Sequence, residues 1–217
     1  MQKATLSFVL FLLLAMGLRA QYQKMEIFEM IGTADLVVMG TIKEVKPLTF
    51  TVEVSDRLLG DDAGAVVEVE KFKVAKNAKR WGKYLPGETV LVFLKKDAGA
   101  WKLQGVGGEG EKLVLEGEVY LDNRGGALYN RFNYITLPSG GSIYAEKVSL
   151  KDFADAVRNM RALYSVEYVE TTNVAGEVTR SPRTRAVADA TAMDEYASRS
   201  DLHAKLMQDC AKALITE

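Results

Sequence analysis

Among 217 residues the chain has one cysteine, Cys210, and one histidine, His203. A single thiol excludes an internal disulfide, and an exported chain of this length can manage without one, because a domain of roughly 100–150 residues buries enough apolar surface. One imidazole and one thiol, seven residues apart on a helical stretch, lie about two turns from each other and supply the usual zinc ligand sets poorly. A histidine-dependent nucleophile would rest on His203 alone, and no G-x-S-x-G turn presents a serine to it. No cofactor is expected. An excess of charge of one sign is also missing. Without residues 1–20, which hold Lys3 and Arg19 and no acid, 26 basic residues face 29 acidic ones, a formal charge of −3. Neither a nucleic-acid partner nor a polybasic membrane contact follows from that balance. A long apolar run is lacking too: Phe8 to Met16 falls short of the about 20 residues a bilayer span needs.

That short run does fit a different purpose. Lys3 gives a basic start, the apolar segment follows, and Ala20 offers a small residue at a cut, with Ala15-Met16-Gly17 as the alternative. Residues 1–20 therefore read as a cleaved secretory signal, with a retained anchor as the other reading. The expected location is exported, periplasmic or secreted, with no transmembrane segment after cleavage.

Apolar residues then recur with the period of strands. Val38, Gly40 and Ile42 alternate with Met39, Thr41 and Lys43, and Leu48, Phe50, Val52 and Val54 share one face opposite Thr49, Thr51, Glu53 and Ser55. The pattern predicts a half-buried antiparallel pair. Further strands are expected over 64–74, over 88–105 as a hairpin turning at Asp97-Ala98-Gly99, over 111–122 and over 127–137. Strands every ten to fifteen residues, separated by turn residues, indicate a mainly β sandwich or small barrel.

Between two of these strands lies a literal G-x-G-x-x-G, formed by Gly105, Gly107 and Gly110. A phosphate-binding glycine turn must feed a helix, whose free N–H groups hold the anion. Here Leu113, Leu115, Val119 and Leu121 continue as strand, no Gly-Lys-Ser or Gly-Lys-Thr follows, and Glu109 and Glu111 would repel an anion. The glycines are expected to allow a bulge or a sharp bend.

Residues 33–45, "TADLVVMGTIKEV", the strand end "VSDRLLGD" at 54–61, and "YLPGETVLVFLKKDAGAWKL" at 84–103 carry a resemblance. The chain resembles the netrin-like or tissue-inhibitor-of-metalloproteinases-like domains found in exported bacterial proteins. The resemblance implies a small OB-like antiparallel Greek-key barrel of five strands. It does not bring the animal inhibitors' mechanism, because that mechanism places an N-terminal cysteine on a protease zinc, whereas this chain after cleavage would begin Gln21-Tyr22-Gln23.

Beyond the barrel, 149–165 predicts a closing helix: Ser149 and Asp152 can form a capping box, and Phe153, Val157, Met160 and Tyr164 make one stripe. The expected organisation is thus signal 1–20, OB-like barrel domain 21–165 with its helix, polar linker 166–184, and a C-terminal helical extension 185–217. Its helices, at about 185–199 and 201–215, are rich in alanine and expected to be under-packed unless a partner covers them. Cys210 lies on their stripe with Leu202, Leu206 and Leu214, which predicts a small buried hydrophobe, an intermolecular disulfide being the alternative.

The candidate binding residues come from a stretch without acid. From Lys71 to Gly87 there is none, while Lys71, Lys73, Lys76, Lys79, Arg80 and Lys83 are interleaved with Phe72, Trp81 and Tyr84. Cations between aromatic rings can grip an anionic glycan, lipid headgroup or acidic protein by charge and stacking, so Lys76, Lys79, Arg80, Trp81, Lys83 and Tyr84 are the candidate site. The plainer reading is a solvated strand and loop whose lysines discourage edge pairing. A second candidate surface is Tyr129, Phe132 and Tyr134, with ordinary core or cross-strand packing as the alternative. Glu109, Glu111, Glu116 and Glu118 are expected on a solvated face. Together these features predict an exported, non-enzymatic binding module that contacts an envelope or secreted protein. The alternatives are an anionic glycan or headgroup bound through 71–87, and an exported hydrolase with two carboxylates in one cleft.

Overall fold

The computed structural model describes residues 24–61, 64–72, 80–138, 140–174 and 178–214. The expected signal, residues 1–20, lies outside the described residues, as do Lys76 and Lys79. A short helix α1 (Ile27–Thr33) leads into strands β1 (Leu36–Val45), β2 (Thr49–Leu59), β3 (Val66–Glu70), β4 (Thr89–Asp97) and β5 (Ala100–Leu103). These pair in the order β1-β2-β3-β5-β4, and β4 pairs back onto β1, so the five strands close a barrel. All contacts are antiparallel except β3 with β5, which run parallel at Val69 and Trp101. The fold is mainly β, a small OB-like barrel with packed helices.

Alternation decides which side chains fill it. Val38, Ile42, Phe50, Val52, Val69, Val90, Val92 and Leu94 turn inward and are fully buried. Each such side chain contributes about 1.5–3 kcal/mol relative to exposure. The alternate residues Val37, Leu91 and Phe93 are buried as well, in a second cluster under the helices. This explains why "TVLVFL" reads as an unbroken apolar run: β4 is covered on both faces.

From β4 the sheet continues outward through β6 (Glu111–Leu115), β7 (Glu118–Asp122), β9 (Ser142–Ser149) and β8 (Asn133–Thr136), with β8 at its edge. The segment 111–122 is therefore two strands turning at Glu116 and Gly117. The glycine motif links β5 to β6 and turns a corner. At Gly105, φ is +73°, and a Cβ would lie 2.3 Å from the Glu109 carboxylate. Gly110 lies against β4, where a Cβ would come within 2.7 Å of both the Phe93 carbonyl oxygen and the Gln104 nitrogen. Those atoms belong to the bonds that join the corner to the barrel and cannot retreat cheaply. Gly110→Ala is expected to cost about 2–3 kcal/mol of stability, read as a lower urea midpoint with an unchanged slope. A midpoint equal to that of the wild type would contradict this packing.

Helix α2 runs Leu150–Met160, capped by Ser149 Oγ, which accepts from the Asp152 amide at 3.4 Å. It ends earlier than the predicted 165, because Arg161 turns back to donate to the carbonyls of Ile31 and Gly32 at 2.9 and 3.1 Å. There it satisfies the exposed C-terminal carbonyls of α1. The chain next forms β10 (Tyr164–Thr172) and β11 (Val178–Ala186), an antiparallel hairpin. This corrects the polar linker expected over 166–184. Only narrow parts of the hairpin are covered, so its strands carry few apolar residues: Val166 packs on Gly32, Tyr168 donates to Glu29, and Pro182 is tolerated on a sheet edge.

Helices α3 (Ala190–Ala197) and α4 (Asp201–Lys212) complete the chain. They are not under-packed, as the alanine content suggested. Tyr196, Leu202, Leu206 and Cys210 are buried in the same cluster as α1, α2 and the outer face of β4. Burial pushes the Cys210 thiol up to about 12, as suits a small apolar residue. Among the described residues no helix is long and apolar enough to cross a membrane.

Candidate binding site

The basic stretch folds inward rather than outward at its described end. Arg80 has a side chain only 4% exposed. Its Nε donates to both oxygens of Glu111, at 3.0 and 3.2 Å, while one terminal nitrogen reaches Glu88 and Glu111. The other terminal nitrogen donates to the Lys83 carbonyl at 2.8 Å. The guanidinium lies between two rings, 4.2 Å from the centre of Trp81 and 4.1 Å from that of Tyr84. Trp81 Nε1 donates to Glu88 at 3.0 Å, and the Tyr84 hydroxyl donates to Glu111 at 3.2 Å. Tyr84 also stacks on Phe50 of the barrel, with centroids 4.6 Å apart. Arg80, Trp81 and Tyr84 thus form a plug, with their polar atoms committed to two buried or half-buried acids, and Lys83 is the exposed member of the group.

Glu109 and Glu111 are fully buried, which corrects the solvated face expected for them. Burial raises the Glu111 carboxyl above its ordinary value, against the pull of the Arg80 and Arg124 guanidiniums. Beside it, Lys112 is buried and donates to the Gly125 carbonyl at 2.8 Å. Burial lowers its ammonium to about 8 despite nearby Asp122. Arg124 pairs with Asp122 at 2.5 Å and lies 4.9 Å from the Trp81 ring centre. These charges neutralise one another inside the protein, and they shape the loop that follows β7.

That loop, 123–132, forms one wall of a cleft of about 610 Å³. Glu146 of β9, itself buried, sets the loop's course by accepting from the amides of Leu128, Tyr129 and Arg131. Cations from three other places converge on the opening: Lys24 before α1, Arg183 of β11, and Lys205 and Lys212 of α4. Asp209 takes both lysines of α4, lying 3.1 Å from Lys212. Lys24 donates to the Asn123 carbonyl. Arg183 is exposed, and among the described residues no acid pairs with its guanidinium. Against four cations the cleft holds two acids, Glu26 and Asp209. Glu26 has its pKa raised, by partial burial and then by the Asp209 charge, and even with both acids ionised the four cations leave a positive surplus.

No protein-family model and no curated protein matches the chain.

The cleft opens beside exposed aromatic residues. Phe132 lines it and stacks on Tyr144, with centroids 5.3 Å apart, and Tyr144 meets its cross-strand partner Tyr134 at 4.7 Å. Tyr134 is 80% exposed and Tyr144 39%. Of the second candidate surface read from sequence, Phe132 and Tyr134 therefore come together through Tyr144, while Tyr129 is half-buried against the helical core.

One further constellation has the connectivity of a hydrolase without its setting. His203 Nδ1 lies 2.7 Å from Ser200 Oγ, and its Nε2 lies 3.0 Å from Asp155. Ser200, however, caps α4 by accepting from the His203 amide, His203 is buried, and Asp155 also accepts from Arg199 at 3.1 Å. None of the three lines the cleft, and together they lock α4 onto α2.

Sequence reading missed the cleft because its cations come from distant segments. A signal was present: Arg180, Arg183 and Arg185 occur within six residues that contain no acid, as pronounced locally as the stretch at 71–87.

Proposed function

We propose that this protein is an exported, non-enzymatic binding module whose ligand-bearing surface is the cleft formed by Lys24, Arg183, Lys205 and Lys212. The observation that carries the reading is the Arg183 guanidinium, exposed at the mouth of a concave site with no acid among the described residues to neutralise it. A planar, permanently charged fork of this kind suits carboxylate, sulfate or phosphate groups, to which it can donate two parallel bonds. Glu146 holds one wall and the packing of α4 in the helical core holds another, so little ordering is required on binding. Export is supported by the apolar segment at 8–16, and kinship with netrin-like domains by the closed five-stranded barrel.

Among the described residues Lys24 and Arg183 take part in no ion pair, so their removal costs the fold only the Lys24 bond to the Asn123 carbonyl. Lys24→Ala/Arg183→Ala is expected to weaken binding to a soluble polyanion at least tenfold at about 0.15 M salt, measured by titration calorimetry. Lys83→Ala serves as the charge control and should bind as the wild type does. If the roles reverse, with Lys83 essential and the cleft pair silent, the ligand surface is the 71–87 stretch first read from sequence.

A further inference from the structure

We infer that the ligand of this cleft is an acidic polysaccharide, with a sugar ring lying on Tyr134, which Tyr144 backs, while its acid groups meet Arg183 and Lys24. The inference rests on the reading of the cleft as an anion site and adds the chemical class of what fills it. The juxtaposition that carries it is Phe132, which is both a wall of the basic cleft and the inner ring of the Phe132–Tyr144–Tyr134 stack. One continuous surface therefore offers charge at one end and the exposed ring of Tyr134 at the other.

Tyrosines grouped at the surface in this way suit an interface, since each offers an apolar ring and a hydroxyl that stays wet. A ring face carries partial negative charge, and the C–H groups on one side of a pyranose carry partial positive charge, so the two associate in water while the hydroxyls remain solvated. An acidic peptide fits less well. Peptides bound at a sheet edge need a strand to pair with and pockets for alternate side chains. Strand β8 covers only Asn133–Thr136, with Pro138 soon after it, and Tyr134 presents a face rather than a pocket. A neutral glycan would leave the surplus charge of Lys24 and Arg183 without a partner. The combination of repeated rings and repeated acid groups satisfies both ends of the surface.

The test uses the purified protein and four soluble polymers: polygalacturonate and heparin as acidic glycans, dextran as a neutral glycan, and polyglutamate as an acid without rings. Wild type is expected to bind at least one acidic glycan at least tenfold more tightly than dextran or polyglutamate. Tyr134→Ala/Tyr144→Ala should weaken acidic-glycan binding at least tenfold and leave polyglutamate unchanged, and Lys24→Ala/Arg183→Ala should weaken both. Thermal melts of the variants check that the fold is kept, with Tyr134→Ala alone as the milder change. If only the cleft pair matters, or if polyglutamate binds as tightly as the glycans, the polysaccharide inference is overturned while the anion site stands. If the cleft pair has no effect on any polymer, the anion site itself is wrong. Failure of wild type to bind either acidic glycan also overturns the inference.

Discussion

Arg80→Ala is expected to lower the unfolding free energy by about 3–5 kcal/mol at pH 7, because it strips a buried carboxylate of the cation hydrogen-bonded to it. Glu111 is fully buried and receives three of Arg80's donated bonds, so the loss exceeds what a surface pair would give. The variant should also acquire a characteristic pH dependence. Burial already holds the Glu111 carboxyl above its ordinary value, and removing the guanidinium raises it further. With the folded pKa above the unfolded one, the native state takes up the proton first as pH falls, so the variant regains stability from neutral pH downward through that raised value. Urea unfolding at pH 7 and pH 5 measures the difference between variant and wild type. An equal loss at both would mean that Glu111 is not the residue stranded by the change. Replacing both partners, Arg80→Met with Glu111→Gln, should recover more than half of the loss, since the charge and its counter-charge leave together.

Lys112 makes the second large prediction, with the opposite sense in pH. Its ammonium, lowered by burial from 10.5 to about 8, gives up its proton in the folded protein while the unfolded chain still holds it. Above about pH 8 the unfolded state therefore binds more protons, and stability rises with pH. One pH unit of separation corresponds to about 1.4 kcal/mol, so the wild type should gain roughly 2–3 kcal/mol relative to Lys112→Met between pH 7 and pH 10. Taking the difference between the two proteins cancels the shared titration of the tyrosines. A difference that stays flat across this range would place the Lys112 side chain in water.

The two residues also mark where the sequence stopped being readable. The barrel could be read because alternation is local: Val90, Val92 and Leu94 point one way whatever surrounds them. Leu91 and Phe93 could equally have been anticipated as the covered second face of β4. Glu111 could not, since its partner Arg80 stands 31 positions away, and a glutamate in a strand is ordinarily solvated. The same difficulty hid the β10–β11 hairpin. Its buried contacts are scattered singly, at Val166, Tyr168 and Thr184, too sparse to raise the apolar content of the segment. The cleft was the least legible feature, because Lys24, Arg183 and Lys205 meet only after α1, β11 and α4 have packed together. Two partial signals existed in the sequence, the alternating arginines of 180–185 and the aromatics of 129–134, and only the second drew notice.

The way α1 and α4 interlock has a consequence for when the protein can fold. Helix α1 shares its core with Leu206 and Cys210 near the far end, and Arg161 completes its last turn. Thr184 ties β11 to the end of α4, donating its hydroxyl to the Cys210 carbonyl at 2.6 Å and its amide to the Ala213 carbonyl at 2.9 Å. The apolar face of α1 and α2 thus has no complete cover until α4 has been synthesised. Pairings this distant along the chain form late and slowly. A growing chain accordingly carries that face uncovered from the synthesis of α2 until α4 has joined it.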